Sequence, residues 1–111
     1  MKNLKVGTGT GGQSTSAIPQ SDAVIIADLT AATNKTVTIP TNATTVIFQH
    51  YGVDELYAKM GGTAFSAVPV ASDTPQELMV NPDVRSITPG STQIHLICKS
   101  GGKCVLNFYG G

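Results

Sequence analysis

The chain has 111 residues, enough for one domain with a single core and too few for two. Only 13% of them are charged, seven basic against seven acidic, and Arg85 is the only arginine, so no basic cluster exists to track the phosphates of a nucleic acid. No apolar run is long enough to cross a bilayer, and a near-zero net charge with so few charges favours association over self-repulsion.

Residues 1–21 (MKNLKVGTGTGGQSTSAIPQS) form a low-complexity stretch whose GTGTGGQSTS centre is flexible by composition. It reads either as a disordered tail or as an N-terminal arm that orders on a neighbouring subunit, with Leu4 and Val6 as anchors and Lys2 and Lys5 beside them. A polar, glycine-rich stretch follows the two lysines where a secretion signal would carry an apolar core, so export by a standard signal is not expected. Residues 22–111 are expected to form one domain.

The run 23–29 (AVIIADL) is short and rich in β-branched residues, which favours a strand over a helix capped by Ser21 or Asp22. Residues 36–39 (TVTI) alternate and stop at Pro40, which cannot donate to a ladder; 41–43 make a turn. Residues 44–51 (TTVIFQHY) read as the strongest interior strand, with Val46 and Phe48 on one side and Ile47 on the other, a pattern of burial between two layers. Residues 55–60 (ELYAKM) alternate again, with Leu56, Ala58 and Met60 inward, and Gly61 and Gly62 close them. Residues 65–70 are a short proline-containing stretch suited to an edge, and 71–76 are a loop. Residues 77–80 and 84–88 are short strands around Asn81-Pro82, and Pro89-Gly90 makes the next turn.

The last stretch, QIHLICKSGGKCVLNFY at 93–109, has the grammar of a β-hairpin: two alternating runs joined by Ser100, Gly101 and Gly102. With Lys99 facing Lys103, the residues Ile94, Leu96, Cys98, Cys104, Leu106 and Phe108 share one face; a one-residue slip would split them. The two cysteines would then be opposed, either as a modest disulfide across a short loop or as two reduced, inward-facing thiols, the state favoured in a reducing cytoplasm. Seven to nine short strands without a helix predict an all-β, antiparallel β-sandwich of jelly-roll type.

Catalytic chemistry finds little support. His50 ends a strand, His95 falls on the outward face of its strand, and neither belongs to a nucleophile or metal motif. The acidic residues are scattered, and GTGTGG lacks the strand and helix that would aim amides at a phosphate. No enzyme activity, cofactor or metal is expected. Tyr57, Ile97, Val105 and Tyr109 are predicted to point outward, either as scattered exposure or as a contact patch.

The succession TTVIFQHYGVDELYAKMGGTAFSAVP, LMVNPDVRSI and CVLNFYGG resembles a family of small phage structural proteins. It is most similar in length and pattern to the capsid decoration, or stapling, proteins of epsilon15-like short-tailed phages. The resemblance spans residues 36–111 and rests on the order of several weak pieces; the segment before Thr36 and the ICKSGGKC tip depart from it. It implies a jelly roll on the outer surface of the virion, binding the major capsid protein, as a homodimer, and stapling neighbouring shell subunits, with no nucleic acid or membrane as partner. On that account Lys2, Leu4, Lys5, Val6, Tyr57, Ile97, Val105 and Tyr109 are the candidate capsid or subunit contacts. An alternative in another class is a virion-surface or tail-fibre module that binds host glycans; the absence of Trp and the presence of only three Tyr weigh against it.

Overall fold

A computed structural model describes residues 19–110. The order is β1 (Ala23–Leu29), β2 (Lys35–Thr38), β3 (Ala43–Tyr51), β4 (Leu56–Met60), β5 (Met79–Val80), β6 (Val84–Ser86), β7 (Gln93–Cys98) and β8 (Gly102–Gly110). The predicted strand at 23–29 is β1, and the alternating runs before residue 61 are β2, β3 and β4. The stretch 65–70 forms no strand.

The strands make two four-stranded antiparallel sheets, β1-β8-β3-β6 and β2-β7-β4-β5. Except for β4 and β5, each strand lies in the opposite sheet from the one before it. This is the double Greek key of a jelly roll, the sandwich expected from the spacing of strands and turns. Its core is Val46, Phe48, Leu106 and Phe108 from the first sheet against Leu56, Ala58, Ile94 and Leu96 from the second.

The connection from β7 to β8 differs from the expected hairpin. The two strands lie in different sheets: β7 pairs with β2 and β4, β8 with β1 and β3. Lys103 therefore lies beside Asp28 and Tyr51, not opposite Lys99. The six apolar residues do point into one core, but they face each other across it instead of sharing a sheet. Alternation dictates which side of a strand faces inward; it is equally satisfied by a hairpin and by an arch between layers. The glycines tell them apart. Gly101 (φ +77°) and Gly102 (φ +114°) take a backbone that L side chains rarely adopt. A Cβ on Gly101 would lie 2.6 Å from the Leu29 carbonyl oxygen, and one on Gly102 would strike the Tyr51 carbonyl. The arch thus passes tightly between the ends of β1 and β3, with Gly101 N–H donating to the Cys98 carbonyl at 3.2 Å.

Two turns follow their sequence chemistry. Pro89 and Gly90 (φ +87°) occupy a turn closed by Ser91 N–H on the Thr88 carbonyl (3.0 Å), and Asn42 (φ 68°) takes the left-handed position in the turn after Pro40.

Candidate contact surface

The outer faces of the two sheets have opposite fates. On the β2-β7-β4-β5 sheet, Ile97 and His95 alternate with the core residues of β7 and so point outward, yet they are only 1% and 4% exposed. A hydrogen-bond relay brings residues 62–65 across this face. Asn34 Nδ2 donates to Thr36 Oγ1 (3.0 Å), and Thr36 Oγ1 lies 2.9 Å from His95 Nδ1. His95 Nε2 reaches the Gly62 carbonyl at 3.3 Å, and Asn34 Oδ1 accepts from Phe65 N–H at 2.9 Å. Because a carbonyl only accepts, Nε2–H is the donor to Gly62. Lys59 Nζ lies 4.5 Å from the Phe65 ring centroid, which adds a cation–π contact to the same crossing.

Apart from its Tyr109 end, which residues 19–21 cross, the outer face of the β1-β8-β3-β6 sheet is left bare by the described residues. Registered partners lie side by side on one face, so the pairings give its rows directly. Val24, Asn107, Ile47 and Val84 form one row, and Ile26, Val105 and Gln49 the next. Asp28, Lys103 and Tyr51 form a third, with Lys103 Nζ 5.1 Å from the Tyr51 ring centroid. Val24 is 50% exposed, Ile26 64% and Tyr51 55%. Asn107 Nδ2 donates to Gln49 Oε1 at 3.4 Å, and Asn107 Oδ1 accepts from Ser21 Oγ at 3.3 Å. One acid and one base, adjacent to each other, are the only charges in these rows, so the rows are mostly aliphatic and carry no net charge.

The candidate contact residues divide across these surfaces. Val105 lies half-buried in the middle of the bare face. Tyr109 points the same way but is 4% exposed, its hydroxyl donating to the Pro19 carbonyl at 2.8 Å where the chain crosses before β1. Burial, with the Asp22 carboxylate adding to it, raises the Tyr109 hydroxyl above its ordinary pKa. Tyr57 is half-buried on the other sheet and donates to Glu55 Oε2 at 2.7 Å; that bond, chiefly, raises its pKa. Ile97 is not beside Val105, as the hairpin would have it, but in the opposite sheet and covered. Lys2, Leu4, Lys5 and Val6 lie outside the described residues. Sequence reasoning passed over Val24, Ile26, Ile47 and Val84 as surface residues, because a strand's outward aliphatics resemble those of a doubly covered strand until the other face is known.

Cys98 and Cys104 are both buried free thiols. Desolvation pushes the Cys104 thiol up to about 11, with a backbone hydrogen bond at Gln49 offsetting part of the rise. His50 Nε2 is buried without a hydrogen-bond partner among the described residues, against Gly52. Among the described residues, no group of three His, Cys, Asp or Glu side chains is placed to hold a metal ion.

Compared with protein-family models, with curated proteins and with solved structures, the chain matches none.

Proposed function

We propose that this chain is a phage capsid decoration protein that binds the outside of an icosahedral head as a homodimer and staples neighbouring major capsid subunits. The observation that carries the reading is the bare face of the β1-β8-β3-β6 sheet, together with the family resemblance of residues 36–111. Val24 and Ile26 on β1 and Val84 on β6 leave aliphatic surface in water at both edges of the sheet, which supports a contact with another protein. A protein that binds only the assembled shell stabilises it by about 2.7 kcal/mol per site at a hundredfold excess over Kd. Repeated over a shell, that linkage opposes the outward pressure of packaged DNA without any catalytic group. The reading places the chain on the virion exterior, away from the genome, with no nucleic acid or membrane as its partner.

Mass analysis of purified heads tests it, with this chain expected at near parity with the main shell subunit. Adding Ile26→Lys on the bare face is expected to leave the fold within about 0.5 kcal/mol of the parent, since the site is exposed. The same change is expected to abolish binding to emptied shells. Heads that lack the chain altogether, or that bind the variant as well as the parent, would remove the proposal. Particles deprived of the chain that keep their heat resistance but fail to adsorb to cells would point instead to a glycan-binding module.

A further inference from the structure

On the side of the sandwich where β5 and β6 form the sheet edges, a groove of roughly 1130 Å³ opens between residues 59–67, residues 76–79 and the Arg85–Ser86 end of β6. Three independent features meet in it. The first is a free strand edge. Phe48 N–H donates to the Asp83 carbonyl (2.9 Å) and Ile87 N–H to the Thr44 carbonyl (2.8 Å), so residues 83, 85 and 87 turn their backbone groups toward β3. Val84 and Ser86 turn theirs the other way, where no strand of the described residues pairs with them and the Val84 carbonyl is held only by the Arg85 side chain, which an added strand would displace. The second is a floor of adaptable apolar groups, the Met60 and Met79 thioethers with Phe65, which can accommodate alternate side chains of an extended chain.

The third is charge. Lys59 and Arg85 line the groove with Glu77 as the only acid among its lining residues, leaving it net positive. Among the described residues, the Arg85 guanidinium meets no carboxylate and donates to the neighbouring Val84 carbonyl at 3.0 Å. A guanidinium at the rim of an unpaired edge is placed to take a carboxylate from whatever strand is added there.

We propose that this groove receives an extended polypeptide segment, which adds as a strand to the free edge of β6 and sets a carboxylate side chain against Arg85. The inference stands on the groove itself and holds whether or not the chain belongs to a capsid. Short free edges in natural sandwiches are commonly blunted by Lys or Pro, or covered. Here the edge residues are Val84, Arg85 and Ser86, and no strand of the described residues covers them.

The test uses the full chain, isotopically labelled, with a capped Thr-Val-Asp-Val-Thr peptide as probe at about 1 mM, where weak binding registers. The amides of Val84 and Ser86 are expected to shift on titration. Arg85→Ala is expected to weaken binding about tenfold, the usual worth of one charge-assisted hydrogen bond. Ser86→Pro removes an amide that makes no internal ladder bond and is expected to abolish binding, whereas Ser86→Ala leaves it intact. Should Ser86→Pro disturb the fold, the probe N-methylated at alternate amides replaces it and is expected not to bind the unaltered protein. Absence of shifts, shifts confined to other strands, equal binding of a probe with lysine in place of aspartate, or binding that survives both the proline and the N-methyl changes would each overturn the proposal.

Discussion

Replacing Gly102 by Ala separates the arch from a hairpin in one measurement. At φ +114° the residue lies beyond the left-handed helical region, where a side chain costs about 1–3 kcal/mol in backbone strain. The added Cβ also strikes the Tyr51 carbonyl oxygen and comes within 3.3 Å of Gly52 Cα. Both are backbone atoms, and Tyr51 is held by its pairing with Lys103, so they cannot rotate away as a flexible side chain could. Overpacking of that kind adds about 1–3 kcal/mol, for a total of about 2–6 kcal/mol. Against a typical domain stability of about 5–15 kcal/mol this is a large loss. Gly90→Ala is the control: φ is +87° and nothing lies within 4 Å of the new Cβ, so only strain remains, about 1 kcal/mol. In urea unfolding followed by tyrosine fluorescence, the midpoint is expected to fall by about 1.3–4 M for Gly102→Ala and by less than about 1 M for Gly90→Ala, taking a slope of about 1.5 kcal/mol/M. In a hairpin, Gly102 would lie at an open tip and the two changes would cost the same. Equal midpoints would refute the arch.

Three further outcomes are expected. Phe108→Ala empties a fully buried site at the centre of the sandwich and should cost about 3–5 kcal/mol in the same urea assay. The Cys104 thiol, raised from 9.0 to about 11 in the folded chain, holds its proton where the unfolded chain releases it. Its contribution to stability is therefore complete below about pH 9 and is lost as the pH rises to about 11, a change on the order of 3 kcal/mol that Cys104→Ala should flatten in a pH series. Asn34→Ala removes the donor to Thr36 and the acceptor for Phe65 N–H, and should cost about 1–2 kcal/mol while exposing the His95 and Ile97 amides to faster hydrogen exchange.

Much of the sandwich was legible because its strands obey a period of two. In β4, Leu56 and Ala58 are buried and Met60 packs against the core, as the alternation of ELYAKM requires. Pairing was not legible, since the inward face of β7 needs a core and does not say whether β8 lies beside it or opposite. The crowding that selects the arch comes from Leu29 and Tyr51, at the ends of strands distant in sequence. A second miss has a traceable cause. Apolar residues on both sides of a strand signal double burial, and TTVIFQHY carries that signal, yet Ile47 in β3 is half-buried with no second layer of the described residues over it. The same signal was present in QIHLIC, where Ile97 is apolar opposite Ile94 and Leu96. There it was correct, because residues 62–65 cross that face. Which of two such strands is covered depends on where a long loop lands, and Asn34, Thr36 and His95 determine that only once β2 and β7 are paired.

The contrast between the two outer faces bears on how a shell would hold this protein. Covering a large aliphatic side chain is worth about 1.5–3 kcal/mol when it starts fully in water, and proportionately less when it starts half-covered. Val24, Ile26 and Val84, between 38% and 64% exposed, therefore offer only a few kcal/mol to a partner that lies across them. Association itself costs about 4–15 kcal/mol in lost translational and rotational freedom. A single copy docked by this face alone would bind weakly. Two copies joined in a dimer and seated on two shell subunits meet that cost once and gain the face twice, which raises avidity by about a hundredfold or more when the spacing matches. On this reasoning the stapling activity proposed here requires bivalency: a monomeric variant with an intact face should dissociate from shells far faster than the dimer.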